Sequence, residues 1–81
     1  MKKGEKIYCY FEILMKNKIP MHYVDITAKA IDGYTGVFTE EHIPKRTNAS
    51  LSAKINRSKS TTPFISIGDG YYTLKEEYLP K

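Results

Sequence analysis

Phe64-Ile65-Ser66-Ile67-Gly68-Asp69-Gly70-Tyr71-Tyr72-Thr73-Leu74 is two runs of β-branched and aromatic residues joined by a glycine-rich link. Such runs favour strands, and Gly-Asp-Gly supplies the positive φ angles that a tight hairpin loop needs. Alternation puts Tyr72 and Leu74 on one face of the second strand, with Tyr71 and Thr73 on the other. A two-stranded hairpin cannot stand alone in water, so the fold depends on what the preceding residues lay against it.

Working back from the hairpin, Lys59-Ser60-Thr61-Thr62-Pro63 is a polar linker. Before it, a helix is expected from Ala49 to about Ser58, with Thr47 or Asn48 as its cap. Leu51 and Ile55, at i and i+4, would anchor it to a core. With each residue turning by about 100°, Ala49, Ala53, Asn56 and Arg57 fall opposite Leu51, with Ser52 and Lys54 on the flanks. Residues 34–46 read mainly as a loop. Within it Thr39-Glu40-Glu41 suggests one helical turn, and Pro44 is read as the residue that breaks it. A second helix is expected from about Tyr23 to Ile31, with Val24, Ile26, Ala30 and Ile31 as its apolar side. Asp25 suits its first turn, and Asp32-Gly33 closes it with Gly33 left-handed. Lys18 to His22 reads as extended because of Pro20. The first helix, residues 5–17, carries Ile7, Tyr10, Phe11 and Leu14 at i, i+3, i+4 and i+7, with Ile13 and Met15 at the margins or outside that stripe. The order is helix, short strand at Met21–Tyr23, helix, loop, helix, hairpin. That is an α+β winged helix-turn-helix, with the short strand pairing with the wing.

Composition sets the outer bounds. A chain of 81 residues supports one core, so residues 1–81 are read as a single domain. With 41% apolar and 27% charged residues, disordered and collagen-like readings fail. No stretch approaches the ~20 apolar residues of a membrane span. Met1-Lys2-Lys3 looks like the head of a signal peptide, but Lys6, Glu12 and Lys16 interrupt any apolar region behind it. The lone Cys9 forms no internal disulfide, which points to a reduced, cytoplasmic setting. A fold this small buries roughly 60–65% of its unfolded surface, enough for a binding surface but little beside it for a deep catalytic pocket.

The net charge of +4 is unevenly placed: residues 1–31 and 47–67 each carry +3, residues 32–46 and 68–81 each −1. From His42 to Gly68 there is no carboxylate. In a winged helix the third helix lies in a major groove. Lys45, Arg46, Lys54, Arg57 and Lys59 would then contact phosphates, and Thr47, Asn48, Ser50 and Ser52 would donate to phosphate or base oxygens. Asn56 or Arg57 could read a purine. Taken as structure alone, the same stretch is a solvated basic face. The wing tip Gly68-Asp69-Gly70 is short and acidic, which argues against minor-groove contact. Lys2, Lys3 and Lys6 are read as a solubilising terminus or as backbone contacts beside the first helix.

Over roughly residues 5–76 the chain resembles the HARE-HTH domain, a winged-helix family of chromatin proteins and some restriction endonucleases, related to a bacterial RNA polymerase subunit. The resemblance rests on Ile19-Pro20-Met21-His22-Tyr23-Val24-Asp25-Ile26, on Ala49, Leu51, Ala53 and Ile55, and above all on the hairpin, with its aromatic, alternating apolar residues, Gly-x-Gly turn, aromatic and Leu. Glu40 to Arg46 departs from the family's short Thr-Pro lead into the third helix. The resemblance implies binding of double-stranded DNA without catalysis, as a targeting or regulatory module beside a nuclease, methylase or transcription complex. A protein-interaction winged helix, of the polymerase accessory kind, is the alternative.

Other chemistry finds little support. His22 and His42 lack partners at metal-ligand spacing, and His22 reads as structural. Cys9 reads as a small hydrophobe. Glu40-Glu41 and Glu76-Glu77 are adjacent, so their side chains diverge and form no paired-carboxylate site. No cofactor and no small-molecule substrate is expected. The tyrosines Tyr8, Tyr10, Tyr23, Tyr71, Tyr72 and Tyr78 would wall the core, with Tyr8, Tyr34 or Tyr71 free to stack on bases or a partner.

Overall fold

A computed structural model describes residues 2, 4–39 and 41–79. Lys3 of the N-terminal cluster, Glu40 of the expected turn, and Pro80 lie outside the described residues. The elements are α1 (Lys6–Asn17), β1 (Met21–His22), α2 (Tyr23–Gly33), α3 (Pro44–Arg57), β2 (Phe64–Gly68), β3 (Tyr71–Leu74) and a 3₁₀ turn (Glu76–Tyr78). The sheet is antiparallel in the order β1-β3-β2. Three helices, a short first strand and a C-terminal hairpin make a winged helix-turn-helix.

Register is set by the hairpin. Phe64 faces Leu74 and Ser66 faces Tyr72, but Gly68 faces Tyr71, so Ile67 is the extra residue of a bulge. The turn runs through three left-handed residues, Gly68 (φ 95°), Asp69 (φ 54°) and Gly70 (φ 81°). Gly70 is also confined: a Cβ there would lie 2.6 Å from Tyr23 Cε2. On the far side of β3, Met21 pairs with Tyr72 and His22 with Tyr71.

The core gathers Tyr10, Ile13 and Leu14 of α1, Met21 of β1, Ile26 and Ala30 of α2, Phe38 of the connecting loop, Leu51 of α3, and Phe64, Tyr72 and Leu74 of the hairpin. Ile13 is thus a core residue rather than a marginal one, while Ile7 and Phe11 are only partly buried. Val24, expected on the apolar side of α2, is exposed, and Thr27 takes an inward position instead. Leu51 is fully buried and Ile55 packs beside it, as the spacing predicts. Cys9 is buried and free. Of the tyrosines, Tyr10 and Tyr72 are core, Tyr8, Tyr23 and Tyr34 are half-buried, and Tyr71 and Tyr78 are exposed.

Three boundaries differ from the sequence reading. Pro44 does not break a turn; it opens α3 at the first helical position, where its missing N–H costs nothing and its fixed φ suits the helix. The cap residue is therefore Ile43, and neither Thr47 nor Asn48 caps anything. Gly33 ends α2 inside the helix, and Tyr34 follows as the cap with its N–H on Ala30 O. Lys18, expected to be extended, is the left-handed residue that closes α1 (φ 67°).

Candidate nucleic-acid interface

Helix α3 is held in place from two sides. On one, the Tyr72 hydroxyl of β3 donates to Asn48 Oδ1 at 2.5 Å. That uses its only proton, so Ser52 Oγ donates to Tyr72 Oη at 2.9 Å. On the other, Thr47 is fully buried, its hydroxyl 2.6 Å from Thr27 Oγ1 of α2 and 2.9 Å from His42 Nε2. Thr47, Asn48 and Ser52 were expected to donate to DNA. Thr47 has no route to a ligand, Ser52 is half-buried with its hydroxyl proton given to Tyr72, and Asn48 is half-buried with its Oδ1 held by Tyr72 and its Nδ2 donors outside that bond, because the helix starts earlier and these positions turn inward.

What remains outside is a coherent face. Lys45, Arg46, Ala49, Ser50, Ala53, Asn56 and Arg57 are all exposed. At about 100° per residue they occupy the half of α3 opposite Leu51, with the small Ala49 and Ala53 near its centre. Lys59 is exposed in the turn that follows. Lys54 is half-buried and, with Arg57 and Ser50, borders a shallow groove of about 560 Å³ whose other wall is Glu5, Lys6 and Ile7 at the start of α1. The one ion pair among the described residues is Lys16 with Glu12, so none of these cations is paired to a described carboxylate.

The electrostatics at the start of α3 run against the helix's own stability. Its first turn holds no acid but carries Lys45 and Arg46 beside the positive end of the helix dipole. Each like charge placed so costs about 0.3–1 kcal/mol at low salt. The same arrangement concentrates positive potential where an anion would meet it. In the last turn, Lys54 and Arg57 complement the negative end.

The two histidines serve different ends. His22 Nδ1 accepts from Val24 N–H at 3.2 Å and caps α2, its ring stacked on Tyr23. His42, on which the sequence reading placed no role, is 7% exposed and lies between Tyr10, Phe38 and Thr47. Burial first, then the Lys6 and Arg46 charges, lower its pKa. No local pattern marks His42: it becomes internal because Phe38 of the connecting loop packs beneath it. Lys6, grouped in sequence with a charged terminus, lies instead over the Phe38 ring, 5.9 Å from its centroid.

No family model matches this chain, nor does any curated protein or solved structure. The described residues contain no group of three or more His, Cys, Asp or Glu side chains placed to hold a metal ion. None of the described helices is long and apolar enough to cross a membrane.

Proposed function

We infer that the chain is a non-catalytic winged helix of the HARE-HTH type that binds double-stranded DNA. It would act inside the cell as a targeting or regulatory module of a restriction–modification or transcription system. The observation that carries the reading is the exposed face of α3, acid-free, cationic along its length and flattened by Ala49 and Ala53. A surface of this kind lets a duplex approach closely. Phosphate contacts fall to Lys45, Arg46, Arg57 and Lys59, with Lys54 at the groove edge. Base-edge contacts fall to Ser50 and Asn56, with the Asn48 amide donors beside them, since Thr47 and Ser52 are engaged internally and Asn48 only through its Oδ1.

Fluorescence anisotropy with a 16-bp duplex tests this. At ~50 mM salt the duplex should bind, with affinity falling steeply as salt rises. Lys45→Ala with Arg57→Ala should weaken binding and flatten the log–log slope by about 2, roughly one unit for each cation removed from a phosphate. No anisotropy change at low salt would overturn the reading. It would favour the protein-interaction alternative, for which the outer sheet face offers Ile65, Ile67 and Tyr71, at 36%, 53% and 43% exposure.

A further inference from the structure

Asn48 is the fifth residue of α3, in the part of the helix that meets base edges when a winged helix docks in a major groove. Its amide has a fixed orientation. The 2.5 Å separation from Tyr72 Oη fits an O–H···O bond and is too short for an N–H···O bond, so the atom turned to the sheet is Oδ1. Ser52 sets the direction of the relay: it gives its proton to Tyr72 Oη at 2.9 Å, and Tyr72 gives its own to Asn48. Tyr72 is a firm anchor. It is 3% exposed and lies in β3, the central strand, with Met21 on one side and Ser66 on the other.

The other end of the amide is open. Asn48 Nδ2 takes no part in the Tyr72 bond, and among the described residues the one buried side-chain polar atom without a partner is His42 Nδ1. Asn48 Nδ2 therefore keeps contact with solvent. With its carbonyl held by the sheet, the side chain offers a ligand two N–H donors and turns its acceptor away. An asparagine that pairs with adenine accepts from N6 and donates to N7, which needs Oδ1 and Nδ2 to face the base together. Here they cannot, and an adenine edge would set its N6 amino group against the Nδ2 donors. A guanine edge presents acceptors alone, N7 and O6 side by side.

We propose that Asn48 selects guanine in the major groove through Nδ2, and that Tyr72 is the positioning residue that excludes adenine by holding the Asn48 carbonyl. The inference rests on the DNA reading above and adds to it a base preference with its cause.

Selection from a library of randomised 16-bp duplexes, sequenced after binding, tests it for the wild type and two variants, with anisotropy on the selected duplex. The wild type should enrich guanine at one position and reject adenine there. Asn48→Ala should erase that preference alone and lower affinity for the selected duplex roughly tenfold. Its slope against salt should be unchanged, because no phosphate contact is lost. Tyr72→Phe frees the amide to turn and should admit adenine at the same position, whereas a merely structural defect would weaken all sequences alike. With the wild type, inosine in place of that guanine should bind equally well, since N7 and O6 remain, and 7-deazaguanine should bind less well. This analogue comparison needs no variant, so it decides even where Tyr72→Phe does not fold. Adenine enriched at the position that Asn48→Ala erases, a reduced salt slope in Asn48→Ala, or binding without base preference would overturn the inference and leave the DNA reading standing. Absence of duplex binding at low salt would remove both.

Discussion

Thr47 joins α2, α3 and the connecting loop through a single hydroxyl, donating to Thr27, whose own proton goes to Tyr23 O, and accepting from His42. Thr47→Val keeps the shape and removes the oxygen, taking away the donor to Thr27 Oγ1 and leaving the His42 Nε2–H with Tyr10 Oη alone inside the core. The expected cost is about 1–3 kcal/mol in urea unfolding, with the slope of duplex binding against salt unchanged. A loss of slope without a loss of stability would return Thr47 to the contact surface. Residue by residue, the sequence sorts the site well where solvent decides. Lys45, Arg46, Ser50, Asn56, Arg57 and Lys59 are outside, as their chemistry suggests. It misplaces Thr47, and misses that Asn48 and Ser52 also bond the sheet, because a hydroxyl or amide satisfies an internal partner as readily as a phosphate. Which one it meets depends on Tyr72 and Thr27, some twenty positions away in the chain.

At the scale of elements, the three helices and the hairpin are legible from apolar spacing and from the Gly-Asp-Gly turn. Their ends are less so. Proline both stops a helix and starts one, and at Pro44 the loop ahead has no periodicity to say which. Glycine after an apolar run suggests a left-handed stop, yet Gly33 keeps helical backbone and a Cβ there would meet nothing within 4 Å. Gly33→Ala should therefore stabilise the protein by about 0.4–1 kcal/mol. Gly70→Ala should destabilise it by more than that gain, since it combines a positive φ with a clash on the Tyr23 ring. Thermal unfolding of the pair checks both signs. Equal shifts would contradict the contrast between a helical glycine and a turn glycine.

Taken whole, the molecule should be sensitive to mild acid in its free form. His42 is held below its ordinary pKa of 6.5, first by burial and then by Lys6 and Arg46. Below pH 6.5 the unfolded chain therefore binds a proton that the native one refuses, and stability declines until the native pKa is reached. Glu12 is held below its ordinary 4.5, chiefly by the Tyr34 hydroxyl, so its contribution is present above that pH and is lost as pH falls through the native value. Melting temperatures from pH 8 to 3 should show the first decline setting in near 6.5, ahead of any carboxylate. A profile flat to pH 5 would contradict the buried, neutral His42.

The bulge at Ile67 has a further effect on how copies of the chain meet. Strand β2 is the longer of the two edge strands, and its run Phe64-Ile65-Ser66-Ile67 is uncharged and suited to stacking on a neighbour. An incoming strand that zips along this rim loses register at Ile67, and the left-handed turn then carries the backbone away. The kink acts as a gatekeeper against fibre growth, performed by backbone geometry where many proteins place a lysine or a proline.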